Sequence, residues 1–118
     1  MKTHNASDKP QKIGFLLIDN FTLISFASAI DPLRMANQLS SQELYQWLVI
    51  SEHGKSVKSS DGVEILADVS VSNAIDLDTL IVVGGIDITR SYTKTQLNWL
   101  KQLDRKGVAL GAVCTGAY

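Results

Sequence analysis

Val108-Ala109-Leu110-Gly111-Ala112-Val113-Cys114-Thr115-Gly116 decides how the rest of the chain is read. Its first six residues form an unbroken apolar run, the mark of a strand buried on both faces in a parallel sheet. The run ends in a small-x-Cys-x-Gly turn. Small flanking residues permit the sharp strand-to-helix bend that pushes the middle side chain outward, as in a nucleophile elbow. A helix starting at Thr115 would aim its free N–H groups and dipole at the Cys114 sulfur and favour the thiolate.

Working back from the elbow, Thr93-Lys94-Thr95-Gln96 is a capping box. The Thr93 hydroxyl and the Gln96 amide can each satisfy an orphan backbone donor. The helix it opens carries Leu97, Leu100 and Leu103 on one stripe, with Lys101, Arg105 and Lys106 at its negative end and Gly107 as a left-handed cap. Before it, Thr79 to Val83 is another buried strand that runs into Gly84-Gly85, and Trp47 to Ser51 is another, stopped by His53-Gly54. Ser56 to Leu66 alternates around Asp61-Gly62, the chemistry of a short hairpin. Ile13 to Ile18 is the opening strand, bounded by Asp19-Asn20. A helical pattern follows with Phe26, Ile30, Leu33 and Asn37 on one face. Pro32 interrupts it, either kinking the helix or acting as its first residue behind an Asp31 N-cap.

Strand, helix, strand, hairpin, strand, helix, strand is the order of an α/β domain. It predicts an open, doubly wound, flavodoxin-like, mostly parallel sheet with helices on both faces. Residues 1–11 are polar and carry no hydrophobic period, so they form a tail, and residues 12–118 form one domain. With 118 residues, 45% hydrophobic and 19% charged, the chain is no disordered segment or coiled coil. Eleven Lys+Arg against twelve Asp+Glu give a net charge of −1, which leaves no basic footprint for nucleic-acid phosphates. One cysteine cannot close an intramolecular disulfide and suits a reducing compartment. The opening apolar run is too short to span a bilayer and lacks a cleavage site, so a soluble, cytoplasmic domain is expected.

Ligands of open α/β sheets bind outside the carboxyl ends of the strands. Three features lie there: the Cys114 elbow, Gly84-Gly85, whose backbone N–H groups could approach a ligand oxygen, and the turn from Asp19 through Ser25. Plainer readings stand beside them. A single cysteine is often a small buried hydrophobe, Gly-Gly is often only a tight turn, and Asp31 before Pro32 serves as a cap without any function. His4 and His53 read as solvated surface residues. Arg90 and Tyr92 follow the Gly-Gly loop, where surface residues are the commoner case, and Phe26, Trp47 and Trp99 read as packing.

The elbow Ala112-Val113-Cys114-Thr115-Gly116-Ala117-Tyr118, the stretch Leu77 to Gly85 and the opening strand resemble the ThiJ/PfpI superfamily, which shares its fold with the class I glutamine amidotransferases. Phe21 to Asn37 is similar to the N-terminal domains of AraC-type transcriptional regulators of the GlxA group. Some of those respond to small nitrogenous metabolites such as arginine, carnitine or glycine betaine. The resemblance covers Lys12 to Tyr118. It implies that Cys114 falls on the superfamily's reactive cysteine, and Gly85 with Thr115 on the backbone positions of an oxyanion hole. The enzymes carry an acid after the first strand. That position is Ser25 here, while Asp31 matches a second acidic position one or two helical turns on. A serine cannot act as a carboxyl general acid. The enzymes' histidine, where present, lies beyond the elbow, and no histidine follows Cys114 in this chain.

These departures lean away from catalysis. The expectation is a sensing fragment that binds a small-molecule effector through Ser25, Asp31, Gly84, Gly85, Cys114 and Thr115, without metal or cofactor. Any catalysis would run through Cys114. The resemblance implies pairing into a homodimer, and DNA contact only through a C-terminal helix-turn-helix part outside these residues. The alternatives are a Cys114-dependent hydrolase, hydratase or glyoxalase, and a redox sensor whose Cys114 is oxidised to a sulfinic acid. The resemblance also implies that the domain is truncated after the elbow. Apolar surface should then be exposed here.

Overall fold

The computed structural model describes residues 9–74, 76–85 and 92–113. These form β1 (Gln11–Leu17), α1 (Leu23–Ser40), β2 (Tyr45–Ser51), β3 (Val57–Lys58), β4 (Glu64–Ile65), β5 (Val69–Ser70), β6 (Thr79–Val83), α2 (Lys94–Arg105) and β7 (Ala109–Val113). β1 occupies the centre because its side chains are apolar in both directions. Phe15 and Leu17 join the cluster that packs against α1, whereas Leu16 and Ile18 join the cluster that packs against α2. A strand with two apolar faces is stable only where both are covered.

The sheet runs β5-β2-β1-β6-β7, and every neighbouring pair is parallel. Leaving aside the two-residue β5, its parallel strands follow the order 2-1-3-4 in chain sequence, the flavodoxin-like arrangement, with the direction of winding reversed between β1 and β6. β3 and β4 form the separate antiparallel hairpin expected around Asp61-Gly62. β5, parallel to β2 through Val69 and Ser70, was not expected, since two residues carry no periodicity.

On the α1 side, Phe26 meets Phe15 and Phe21 edge-on at 5.7 and 6.0 Å between ring centres. Leu23, Ala29, Ile30 and Leu33 flank them. Asn37, the polar member of that face, clamps the helix to β2. Its side-chain oxygen accepts from the N–H groups of Leu44 and Tyr45, and its amide donates to the Tyr45 carbonyl. On the other side, the Thr93–Gln96 capping box forms as expected, and Gly107 has a φ of +82°.

Four local expectations need correction. α1 runs unbroken through Pro32 with Thr22 at its N-cap, so Asp31 caps nothing. The apolar face of the helix, packed on the sheet, outweighs the single backbone bond that proline removes. The buried stripe of α2 is Gln96, Trp99 and Leu103, leaving Leu97 40% exposed. Steps of three residues drift around a helix of 3.6 residues per turn, which carries Leu97 off the stripe. β1 starts at Gln11, the last residue assigned to the tail. β7, expected to be buried, is the sheet's edge among the described residues, with Ala109 to Ala112 exposed and Val113 half-buried.

Candidate functional site

The β1–α1 turn is stitched to the carboxyl end of β6. Asn20 adopts a left-handed φ of 65°, which turns the chain back over the sheet. Ile18 N–H then donates to the Val83 carbonyl, and Thr22 N–H donates to the Gly84 carbonyl at 2.9 Å. Phe21 bridges Gly85 on one side and Ser59 of the hairpin loop on the other. Position 85 has no room for a side chain. A Cβ there would lie 2.0 Å from the Asn20 carbonyl oxygen and 2.9 Å from the Phe21 backbone. Close backbone approach therefore explains this glycine by itself. Gly84 N–H donates to the Val113 carbonyl at 3.4 Å, which ties the end of β6 to the end of β7.

This stitching creates a hollow of about 300 Å³ lined by Ile24, Ser25, Ser28, Ala29 and Val113. It opens between the first turns of α1 and the last residue of β7. Ser25 thus reaches the residue that immediately precedes Cys114 in the chain. Cys114 and Thr115, like Arg90 and His4, lie outside the described residues. Among the described residues the lining offers apolar walls and two hydroxyls, and no ionisable side chain. Such a surface can hold and orient a small molecule through hydrogen bonds.

Asp31 stands apart from this hollow. It is exposed, and its carboxylate accepts from the Arg34 guanidinium at 3.1 and 3.3 Å. Hydrogen bonding to Arg34, followed by the charge of Arg34, holds the Asp31 carboxyl below the usual range. The structure thus brings Ser25 and Gly84 to the end of β7, sets Gly85 against the β1–α1 turn, and leaves Asp31 on the outer surface of the helix.

A second cleft, of about 160 Å³, lies at the carboxyl ends of β1 and β2, against the start of α2. Asp19, Glu52, His53 and Lys55 line it together with Thr93 and Gln96. The Glu52 side chain is only 16% exposed. One of its oxygens accepts from the Thr93 hydroxyl, and the other lies 3.0 Å from His53 Nε2. Glu52 thereby ties the N-terminus of α2 to the end of β2, where a negative charge also complements the helix dipole. Sequence reasoning passed over Glu52 and Lys55 and left His53 on the surface. Their position directly after a buried strand was the available signal. Among the described residues no cluster of His, Cys, Asp and Glu could hold a metal ion, and no helix is long and apolar enough to cross a membrane.

A parallel sheet whose order reverses between β1 and β6, with the first loop and the Gly-Gly turn meeting at its carboxyl end, defines the class: a doubly wound, flavodoxin-like α/β domain. The chain belongs to the DJ-1/PfpI family, which it matches over residues 11–118. It is 54% identical, over 92% of its length, to the HTH-type transcriptional regulator GbdR of Pseudomonas aeruginosa, and 34% identical over its full length to the HTH-type regulator GlxA of Rhizobium meliloti. It spans only 30% of the first and 37% of the second, about a third of these curated relatives. Among solved structures, an AraC family transcriptional regulator from Pseudomonas putida superposes with a TM-score of 0.75 at 32% identity, over 87% of this chain and 55% of that one. The likeness to GlxA-type AraC regulators drawn from Phe21 to Asn37 is thus borne out.

Proposed function

We propose that this chain is the ligand-sensing segment of an AraC-type transcriptional regulator. It takes a small nitrogenous metabolite in the hollow between Ser25 and Val113, beside the elbow, with Gly84, Gly85, Cys114 and Thr115 around it. DNA is contacted by a helix-turn-helix part outside these residues. The observation that carries the reading is the 54% identity to a transcriptional regulator of which this chain spans less than a third. The lining of the hollow agrees with it. Ser25 stands where the resemblance places the acid of the superfamily's enzymes, and no carboxylate lines the hollow among the described residues. Asp31 serves the sensor as a surface residue of α1 rather than as a ligand contact.

Titration calorimetry of the chain against quaternary-ammonium, guanidinium and amino-acid metabolites tests the proposal, with each mixture then assayed for chemical change. The expected result is saturable binding of one class at one site per chain, with the metabolite recovered intact. Conversion of an aldehyde or amide that disappears in Cys114→Ser would instead establish the cysteine-dependent enzyme of the same superfamily. Binding of nothing in the panel, with no turnover, would remove the sensor reading for these metabolites.

A further inference from the structure

We propose that the β3–β4 hairpin is a strap that sets the shape of the Ser25 hollow, so that the order of the hairpin and the occupancy of the hollow are linked. The inference rests on the hollow being the metabolite site. It adds two positioning residues, Lys58 and Ser60, which lie on the hairpin and line no part of the hollow. A two-stranded hairpin alone is marginally stable in water, so this one depends on what it touches. Val57 and Ile65, paired across β3 and β4, enter the α1-side core with Phe21 and Phe26. The loop between the strands is braced from within. Ser59, 2% exposed, donates its N–H to the Val63 carbonyl at 2.8 Å, and its own carbonyl accepts from Gly62 N–H at 3.0 Å. The Ser59 hydroxyl accepts from Val63 N–H and donates to the Asp61 carboxylate. Ser60 is thus the second residue of a tight turn, and its N–H is aimed outward from a stiff loop.

That N–H donates to the Phe21 carbonyl at 2.8 Å, and the Lys58 carbonyl accepts from Asn20 N–H at 3.0 Å. Among the described residues, the hairpin makes no other hydrogen bond to the rest of the domain. What it grips is the turn that enters α1. Phe21 is clamped between Ser59 and Gly85, directly after the left-handed Asn20. Phe26 N–H then closes the first helical turn on the Thr22 carbonyl at 3.2 Å, one residue past Phe21. Ile24 and Ser25 lie inside that turn and line the hollow. A backbone shift at Phe21 is therefore carried into the hollow's wall. The linkage works in both directions: a molecule that favours one arrangement of the turn favours the hairpin that fits it, by the same factor.

Amide hydrogen exchange of the chain tests the strap with no metabolite present. Ser60→Pro removes the N–H at a turn position that suits proline, behind a residue already in an extended bridge. Loss of one hydrogen bond of ordinary worth should speed exchange at Phe26, Ser28 and Ala29 at least about fivefold, with Val49 and Ile50 of β2 unchanged. Ser60→Ala keeps the N–H and should restore the parental rates. Asp61→Ala loosens the same loop by another route and should act in the same direction as Ser60→Pro, and it decides the matter if β2 exchange shows that Ser60→Pro has lost the fold. Parental rates at Phe26, Ser28 and Ala29 in the folded variants overturn the proposal, as does an equal effect from Ser60→Ala. Calorimetry with arginine, carnitine and glycine betaine supplies the second arm. Any of these that binds the parent should bind Ser60→Pro at least about fivefold more weakly and slow exchange at Ser59 and Val63 of the parent. Equal affinity for both chains overturns the linkage. Binding of none of the three counts against the sensor reading, while the exchange rates still decide the strap.

Discussion

β1 and β7 are written in the same alphabet and meet opposite fates. Ile13 to Leu17 in β1 and Ala109 to Val113 in β7 are both uninterrupted apolar runs in a parallel sheet. In β1 every one of these side chains is buried, whereas in β7 four of five are exposed and Leu110 stands 45% open. The difference is position. Among the described residues, β1 pairs on both edges and lies between α1 and α2, while β7 pairs with β6 alone and is the last strand of the sheet on that side. An apolar run therefore states what a strand tolerates, and its neighbours decide whether that tolerance is used.

The contrast yields a graded series of expected effects. Phe15→Ala, in the centre of β1, should lower unfolding free energy by about 3–5 kcal/mol, read by urea denaturation. A loss below about 1 kcal/mol would mean that the α1-side core is loosely packed. Gly85→Ala comes next, because the added methyl meets the Asn20 carbonyl oxygen at 2.0 Å, a backbone atom that no rotamer change can move. It should cost about 3 kcal/mol, the upper part of the overpacking range, and disturb the turn that forms the Ser25 hollow. A variant as stable as the parent would show that the β1–α1 turn is not held as described.

Thr93→Ala should cost about 1 kcal/mol through the lost cap. It also frees the Glu52 carboxylate that now accepts from the Thr93 hydroxyl. The effect should appear in unfolding curves and in faster amide exchange at the start of α2. Leu110→Ala, the β7 counterpart of Phe15→Ala, should change stability by no more than about 0.5 kcal/mol. A loss as large as that of Phe15→Ala would show that β7 is covered in solution and erase the contrast between the two strands.

The smallest effect belongs to the surface pair on α1. The Asp31 carboxyl is held below its ordinary range by Arg34, so its folded-state pKa lies below its unfolded one. Its contribution is present above the unfolded pKa and fades as pH falls through the folded value. Solvent screens an exposed pair of this kind. Arg34→Gln should therefore lower stability slightly at neutral pH and not at all in strong acid, in urea titrations at both conditions.

Much of the fold was legible in the chain. Apolar runs flanked by turn residues marked β1, β2, β6 and β7, and the Thr93–Gln96 box marked the start of α2 to the residue. The hairpin followed from Asp61-Gly62. What escaped notice was set by tertiary context. Pro32 lies inside α1 because the packing of Phe26 and Leu33 outweighs a local propensity, and β5 forms because β2 offers it an edge.

The site was legible in part. Ser25 lines a hollow with Val113 and Gly84 N–H donates to the Val113 carbonyl, while Gly85 lies against the β1–α1 turn. Asp31 did not join them, because an unbroken α1 carries it away from that end. Glu52 escaped because a lone acid after a strand looks like any surface carboxylate until Thr93, forty-one residues away, is brought against it.

The central claim is that a metabolite binds beside the elbow and is sensed rather than transformed. Amide chemical-shift mapping of the isotope-labelled chain, titrated with the metabolite that binds in calorimetry, tests it most directly. The account predicts saturating shifts at Ser25, Ser28, Ala29, Gly84, Gly85 and Val113, with the metabolite's own signals unchanged over time. Shifts centred on Glu52, His53 and Thr93, or steady loss of the metabolite, would contradict it.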